Sequence, residues 1–259
     1  MKTNKVKGLW AEGKPVLNGW LSIGNSFSAE IMAAQGFDSL TVDLQHGMVD
    51  QSVLVPMFQA IEASGTMPMA RIAQLSPAEV TRVLDAGAMG VICPMINNRA
   101  DAEALASYSR YAPNGIRSFG PTRAAISAGP GYDGHAEQEL VCMAMVETAE
   151  ALSNLDAICS TPGLDGVYVG PSDLTLALTG RRYRVGFDRE EPEIIDAIQA
   201  VIAAAHRHGI QVGLHTGSAV YAARAIGWGC DLVTCATDVR LLAEGANATL
   251  AQVRKAVGA

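Results

Sequence analysis

Eight short apolar runs, alternating with stretches of helical periodicity, constrain this chain more than any other feature. The runs span 19–23, 39–44, 67–72, 90–95, 140–147, 166–170, 211–215 and 231–235. Continuous apolar runs of this length suit strands buried on both faces, as in a parallel sheet. Helical periodicity covers 26–35, 52–63, 76–86, 99–110, 149–159, 193–208, 218–226 and 239–257. Ser76-Pro77 reads as an N-cap followed by proline at the first helical position. Gly87, Gly209 and Gly227 follow helix-like segments, where a left-handed cap is needed. Eight strands and eight helices in alternation predict a single-domain (β/α)8 TIM barrel, whose usual size is ~250 residues. The chain has 259. No glycine-rich fingerprint follows the first run, which disfavours the doubly wound alternative.

Composition narrows the function. Hydrophobic residues make up 49% and charged residues 17%, enough to bury a large core and too apolar for a disordered chain. The net charge of −7 argues against nucleic acid or an anionic membrane as the main partner. No run reaches the ~20 apolar residues of a membrane helix, and no signal-peptide core follows the N-terminus. The five cysteines, Cys93, Cys142, Cys159, Cys230 and Cys235, contain no CxxC pair and read mostly as small core residues. The expected compartment is the reducing cytoplasm.

One segment breaks the rhythm. Residues 117–138 are rich in Gly, Ser and Pro and separate the fourth helix from the fifth strand. A connection this long inside a compact domain is usually functional or disordered. With Arg117 and Arg123 on it, it is expected to be an active-site flap.

Barrel chemistry belongs at the C-terminal ends of the strands. Polar groups follow the apolar runs at Asp43-Leu44-Gln45-His46-Gly47, Arg71, Glu147, Gly170-Pro171-Ser172-Asp173 and His215-Thr216-Gly217. Glu147 and Asp173, on adjacent strands, are candidates to ligate one hard divalent cation, with positions left for water and substrate. They could equally cap the helices that follow, or act as a glycosidase-like acid/base pair. The second reading is disfavoured by only 5% aromatics. Arg71 closes an apolar strand and suits a carboxylate or a developing enolate oxygen, or a structural ion pair. His46 could serve as general base. His215 could be a second base, a metal ligand or a satisfied core histidine. Nothing local marks Asp85, at a helix end.

Taken together, Asp43-Leu44-Gln45-His46-Gly47, Pro68-Met69-Ala70-Arg71, Met145-Val146-Glu147-Thr148 and Gly170-Pro171-Ser172-Asp173-Leu174 resemble the HpcH/HpaI aldolase family in order and spacing. The resemblance runs over nearly the whole chain. It implies a (β/α)8 barrel and a class II aldolase that releases pyruvate and an aldehyde from a 4-hydroxy-2-keto acid. It implies Glu147 and Asp173 as ligands of Mg²⁺, Mn²⁺ or Co²⁺, and Arg71 on the keto oxygen. It further implies a proton-transfer dyad of His46 and Asp85, and a carboxylate cradle at Gly170, Pro171, Ser172 and Asp173. The family assembles typically as a hexamer, a trimer of dimers, with sites near subunit interfaces and the last helix exchanged. Residues 239–259 are therefore expected at an interface. Gln45 stands where many members carry Glu, removing one negative charge beside the presumed base.

No lysine lies at a strand end. Lys2, Lys5, Lys7, Lys14 and Lys255 are all near the termini, which argues against a Schiff-base mechanism. Two enzyme alternatives share the enolate chemistry: a decarboxylase, and an acyl-CoA lyase, for which no basic nucleotide groove is evident. A non-catalytic keto-acid-binding barrel is a further alternative.

Overall fold

A computed structural model describes residues 2–258. Eight parallel strands close into one barrel in the order β1 to β8, with β8 pairing back onto β1. The strands are β1 (Val16–Leu21), β2 (Ser39–Asp43), β3 (Met67–Arg71), β4 (Gly90–Cys93), β5 (Val141–Val146), β6 (Gly166–Val169), β7 (Gln211–His215) and β8 (Leu232–Thr237). Seven of the eight agree with the apolar runs to within about two residues at each end. β1 starts three residues earlier than its run, because Val16 pairs with Leu232 at the closing seam.

The helices, in chain order, are α1 (Lys5–Ala11), α2 (Ser26–Ala33), α3 (Gln51–Ala63), α4 (Pro77–Asp85), α5 (Arg99–Ser109), α6 (Thr122–Ala128), α7 (Tyr132–Glu139), α8 (Ala149–Ser153), α9 (Leu155–Cys159), α10 (Pro171–Thr179), α11 (Pro192–Arg207), α12 (Ala219–Trp228) and α13 (Asp238–Val257). Gly87 and Gly209 adopt the positive φ expected after a helix. Gly227 does not: α12 runs on to Trp228, and Gly229 takes the left-handed cap. The predicted helix at 149–159 is broken at Asn154, whose φ of −111° interrupts the turn. In the core, Leu40, Met69, Ile92, Met143 and Leu214 are fully or nearly fully buried, and Asn18, Ser39, Thr41 and Thr234 are buried polar side chains bonded among themselves. Four of the five cysteines are buried.

Two segments depart from the simple alternation. Segment 117–138 is not a flap over the chain's own strand ends. It connects α5 to β5, and in a parallel barrel that connection lies at the end where strands begin. There it folds into α6 and most of α7. Its arginines hold this insert to the barrel wall: Arg117 Nη2 donates to Asp85 Oδ1 (2.6 Å) and to the Tyr132 hydroxyl (3.1 Å). Arg123 donates to Glu62 Oε2 and to the Ala86 carbonyl, both at 2.5 Å. Glycine and serine enrichment does not disclose this order, because the ordering contacts are long-range.

α13 does not lie along the barrel as the eighth helix of the architecture would. Of its twenty residues only Asp238 is buried. Val239, Leu241, Leu242, Leu250, Val253 and Val257 are exposed. Asp238 secures its first turn, accepting from the Ser22 and Ile23 amides at 2.9 and 3.0 Å. Beyond that turn its apolar residues find no partner within the chain.

Arg117 has no side-chain exposure. Arg117→Ala deletes a buried ion pair and leaves Tyr132 and Asp85 short of a donor. The expected loss of stability is ~3 kcal/mol, read from the denaturant midpoint. Arg99→Ala, which removes an exposed pair with Glu103, should cost ~0.5 kcal/mol or less.

Candidate active site

The C-terminal ends of the strands surround a cavity of about 500 Å³. Trp20, Asp43, His46, Arg71, Glu147, Gly170, Pro171, Ser172, Asp173 and His215 are among the residues that line it. Seven of the eight residues singled out as site candidates are therefore brought together, from four different strand ends. The eighth, Asp85, is not. α4 runs back antiparallel to β3, so its last residue sits at the opposite end of the barrel, bonded to Arg117. Within one chain, His46 and Asp85 lie at opposite ends of the barrel and do not meet.

Asp43 organises one wall. Its carboxylate accepts from Arg71 Nε (2.8 Å) and Nη2 (2.5 Å), from Trp20 Nε1 (3.1 Å) and from the Gln45 and His46 amides (3.0 and 3.2 Å). Burial alone would raise its pKa. The Arg71 hydrogen bonds and charge, joined by Trp20 and the His46 amide, outweigh this and hold it below the usual carboxylate range. The guanidinium of Arg71 also lies 4.8 Å from the Trp20 ring centroid. Both alternatives for Arg71 therefore meet: it is ion-paired, yet it lines the cavity, and no described residue takes its Nη1. Sequence reasoning quoted Asp43 without giving it a role. Its signal is an acid at the last position of β2, directly after Leu40-Thr41-Val42.

Glu147 and Asp173 form the other wall. Glu147 is buried and has no cationic partner; Met95 donates its amide to Oε1 at 2.8 Å. Met95 adopts φ +57°, a left-handed conformation that is uncommon away from glycine. Such strain costs ~1–3 kcal/mol and clusters at functional sites. Here it turns an N–H onto a carboxylate, a feature invisible in the sequence. Burial raises the Glu147 pKa, and the charge of Asp173 adds to it; the Met95 amide and Arg71 work against both. Gly170 packs against Glu147 so closely that a Cβ there would run into Oε2. Gly170 also begins α10, with Pro171 at its first turn. The Ser172 and Asp173 amides that follow have no helical partner, the usual state of a helix N-terminus and a suitable place for an anion.

His215 is neither base nor satisfied core residue. Its exposure is 7%, and burial, helped by the nearby charge of Arg71, lowers its pKa to about 3. Burial thus favours its neutral form. Trp20, Phe187 and Arg240 also line the cavity and carried no local signal.

Two carboxylates suffice for a hard cation only if substrate and water complete the shell. Among the described residues no group of three or more His, Cys, Asp or Glu could hold a metal alone. The donor set nevertheless fits: two oxygen ligands, one buried and held without a counterion, beside an open cavity. A buried charge of this kind is a cost to the empty fold. Since the folded pKa of Glu147 is raised, its ionised form destabilises the metal-free protein at neutral pH. The penalty fades as pH falls through the ordinary glutamate range, where both folded and unfolded states are protonated. Glu147→Gln should therefore raise the melting temperature of chelator-treated protein at pH 7, and the gain should disappear near pH 4.

Comparison with known proteins identifies the family. Residues 18–244 match the family model described as HpcH/HpaI aldolase/citrate lyase. A hydroxypyruvate/pyruvate aldolase of Rhizorhabdus wittichii is 42% identical over 97% of this chain and 99% of its own. A pyruvate aldolase of Rhizobium etli is 32% identical over 97% of this chain and 98% of its own. The crystal structure of an HpcH/HpaI aldolase/citrate lyase family protein from Burkholderia cenocepacia superposes with a TM-score of 0.89. It is 30% identical and covers 97% of this chain and 100% of its own. The chain belongs to the HpcH/HpaI aldolase/citrate lyase family and is an aldolase, a carbon–carbon lyase of that family.

Proposed function

We propose that this aldolase cleaves a 4-hydroxy-2-keto acid reversibly to an aldehyde and pyruvate or hydroxypyruvate, and that it does so with a divalent cation. The observation that carries this is the single cavity in which Glu147, Asp173, Arg71, His46 and the start of α10 converge. Names of similar proteins, pyruvate aldolase and hydroxypyruvate/pyruvate aldolase, support the substrate class.

Glu147 and Asp173 would hold the cation, Mg²⁺, Mn²⁺ or Co²⁺. When bound, it supplies Lewis-acid polarisation of the keto acid, which makes the protons next to the carbonyl removable near neutral pH. The Ser172 and Asp173 amides, with Gly170 and Pro171 shaping the approach, orient the substrate carboxylate. Arg71 donates to the keto oxygen as negative charge grows there; Asp43 fixes the guanidinium plane so that little reorganisation is needed. His46, exposed at the cavity mouth, takes the proton of the 4-hydroxyl in cleavage and returns it in synthesis.

A dyad with His46 requires the Asp85 of another subunit. A homo-oligomer with sites near subunit interfaces would supply it, and segment 117–138 with it, since Gly120 lies beside Asp85. α13, with its unpartnered apolar residues, would cross between subunits in that assembly. The working form is then a hexamer, and light scattering should give about six times the 27.1 kDa chain mass.

Exhaustive chelation should abolish cleavage, and Mg²⁺, Mn²⁺ or Co²⁺ should restore it. Undiminished turnover after chelation would refute the metal role. Arg71→Ala should lower kcat by ~10²–10³ and suppress exchange of pyruvate methyl protons with deuterated water. Arg71→Lys should rescue poorly, because a point charge cannot reproduce the fork held by Asp43. His46→Ala should slow cleavage by ~10²–10⁴ with metal affinity unchanged. Mixing the inactive His46→Ala protein with inactive Asp85→Ala protein under subunit exchange should recover activity, since some sites then carry both native residues. No recovery would place the proton-transfer partner elsewhere.

A further inference from the structure

His215 carries a ring nitrogen that no described residue engages. Its Nε2 is buried and has no hydrogen-bond partner, although the side chain lines the cavity. Two aromatic rings flank it. Phe187 lies 4.3 Å away, centroid to centroid, and Trp20 meets it edge-on at 4.9 Å. Asp188, next to Phe187, anchors that segment by accepting from the Gly217 amide and the Ser218 hydroxyl, both at 2.6 Å.

The tautomer follows from the polar chain behind the ring. Asn18 Oδ1 accepts from Ser39 and Thr41, so its Nδ2 is the atom facing Thr234, and it donates to Oγ1 at 2.8 Å. The Thr234 hydroxyl proton then has one acceptor among the described residues, the Tyr168 oxygen at 2.6 Å. The Tyr168 proton is left for His215 Nδ1, 3.2 Å away. With Nδ1 accepting and the ring neutral, the proton resides on Nε2. A buried N–H without an acceptor is a standing cost to the empty site. A ligand oxygen would remove that cost, and a hydrocarbon in the same place would perpetuate it.

Taking the aldolase reading as its basis, we propose that His215 is a specificity residue whose Nε2–H donates to a hydroxyl oxygen of the substrate, next to the reacting carbons. The charged groups of a keto acid already have Arg71 and the α10 amides. His215 itself offers a neutral donor, flanked by the Trp20 and Phe187 rings, which suits an uncharged oxygen. That hydroxyl can come from the keto acid, as in hydroxypyruvate, or from the aldehyde, as in glycolaldehyde. Tyr168 and Thr234 act as positioning residues that hold the donor tautomer.

The test compares kcat/KM for three pairs with Mg²⁺ or Mn²⁺ present: pyruvate with propanal, hydroxypyruvate with propanal, and pyruvate with glycolaldehyde. Each hydroxylated pair is expressed as a ratio to the first. His215→Phe keeps a ring and deletes the donor; it should lower one ratio by about tenfold, and the ratio that falls identifies the source of the hydroxyl. His215→Gln, which retains an N–H, should recover part of the loss. Tyr168→Phe frees Nδ1 to take the proton and should lower the same ratio by a smaller factor, without altering the ring that faces the cavity. Equal loss on all three pairs in these variants would mean a structural role and overturn the inference, as would unchanged ratios. Wild-type protein inactive on every pair would instead overturn the aldolase reading on which it rests.

Discussion

The carboxylate of Asp43 is the fixed point of the site. It gathers donors from β1, from β3 and from the loop after β2, so three neighbouring strand ends share one anion. Removing it would leave the guanidinium of Arg71, about one-eighth exposed, beside an indole with no counterion. The pair matters less for stability than for orientation. Buried ion pairs often break even energetically, but a bidentate fork fixes a plane. A barrel core of Val, Leu and Met cannot fix such a plane, because dispersion contacts are not directional.

The two ends of the barrel do different work. Where the strands end, polar groups point into a cavity and several lack partners within the protein. Where they begin, arginines are ion-paired: Arg117 with Asp85, beside the Tyr132 hydroxyl, Arg123 with Glu62, and Arg110 with Asp165. The second pattern is that of structural support. Asp85 belongs to it within the chain, and only contact between chains would lend it a second role.

The barrel was legible in the sequence because parallel strands covered on both faces must be apolar throughout, and the runs at 67–72 or 211–215 have no other economical explanation. The rim residues were legible for the converse reason: an Arg71 or Glu147 directly after such a run stands out by its chemistry. Asp85 was named only through family resemblance, and sequence spacing gave no warning that its helix carries it to the far end. Met95 and His215 were opaque for different reasons. Left-handed backbone at a methionine depends on a partner fifty-two residues away. The protonation of an imidazole depends on hydroxyls contributed by β6 and β8. The order of segment 117–138 was hidden likewise, in contacts to Asp85, Glu62 and Ala86.

The indole of Trp20 has one more property that follows from its surroundings. The chain has three tryptophans, and Trp20 alone lines the cavity, with the charge of Arg71 over its face and Asp43 on its N–H. The energy of an excited indole responds to charges placed along its ring. Any molecule that draws the guanidinium toward the cavity shifts a positive charge relative to this chromophore. The site thus contains its own optical reporter, and occupancy can be followed by intrinsic emission without a coupled reaction or an added label.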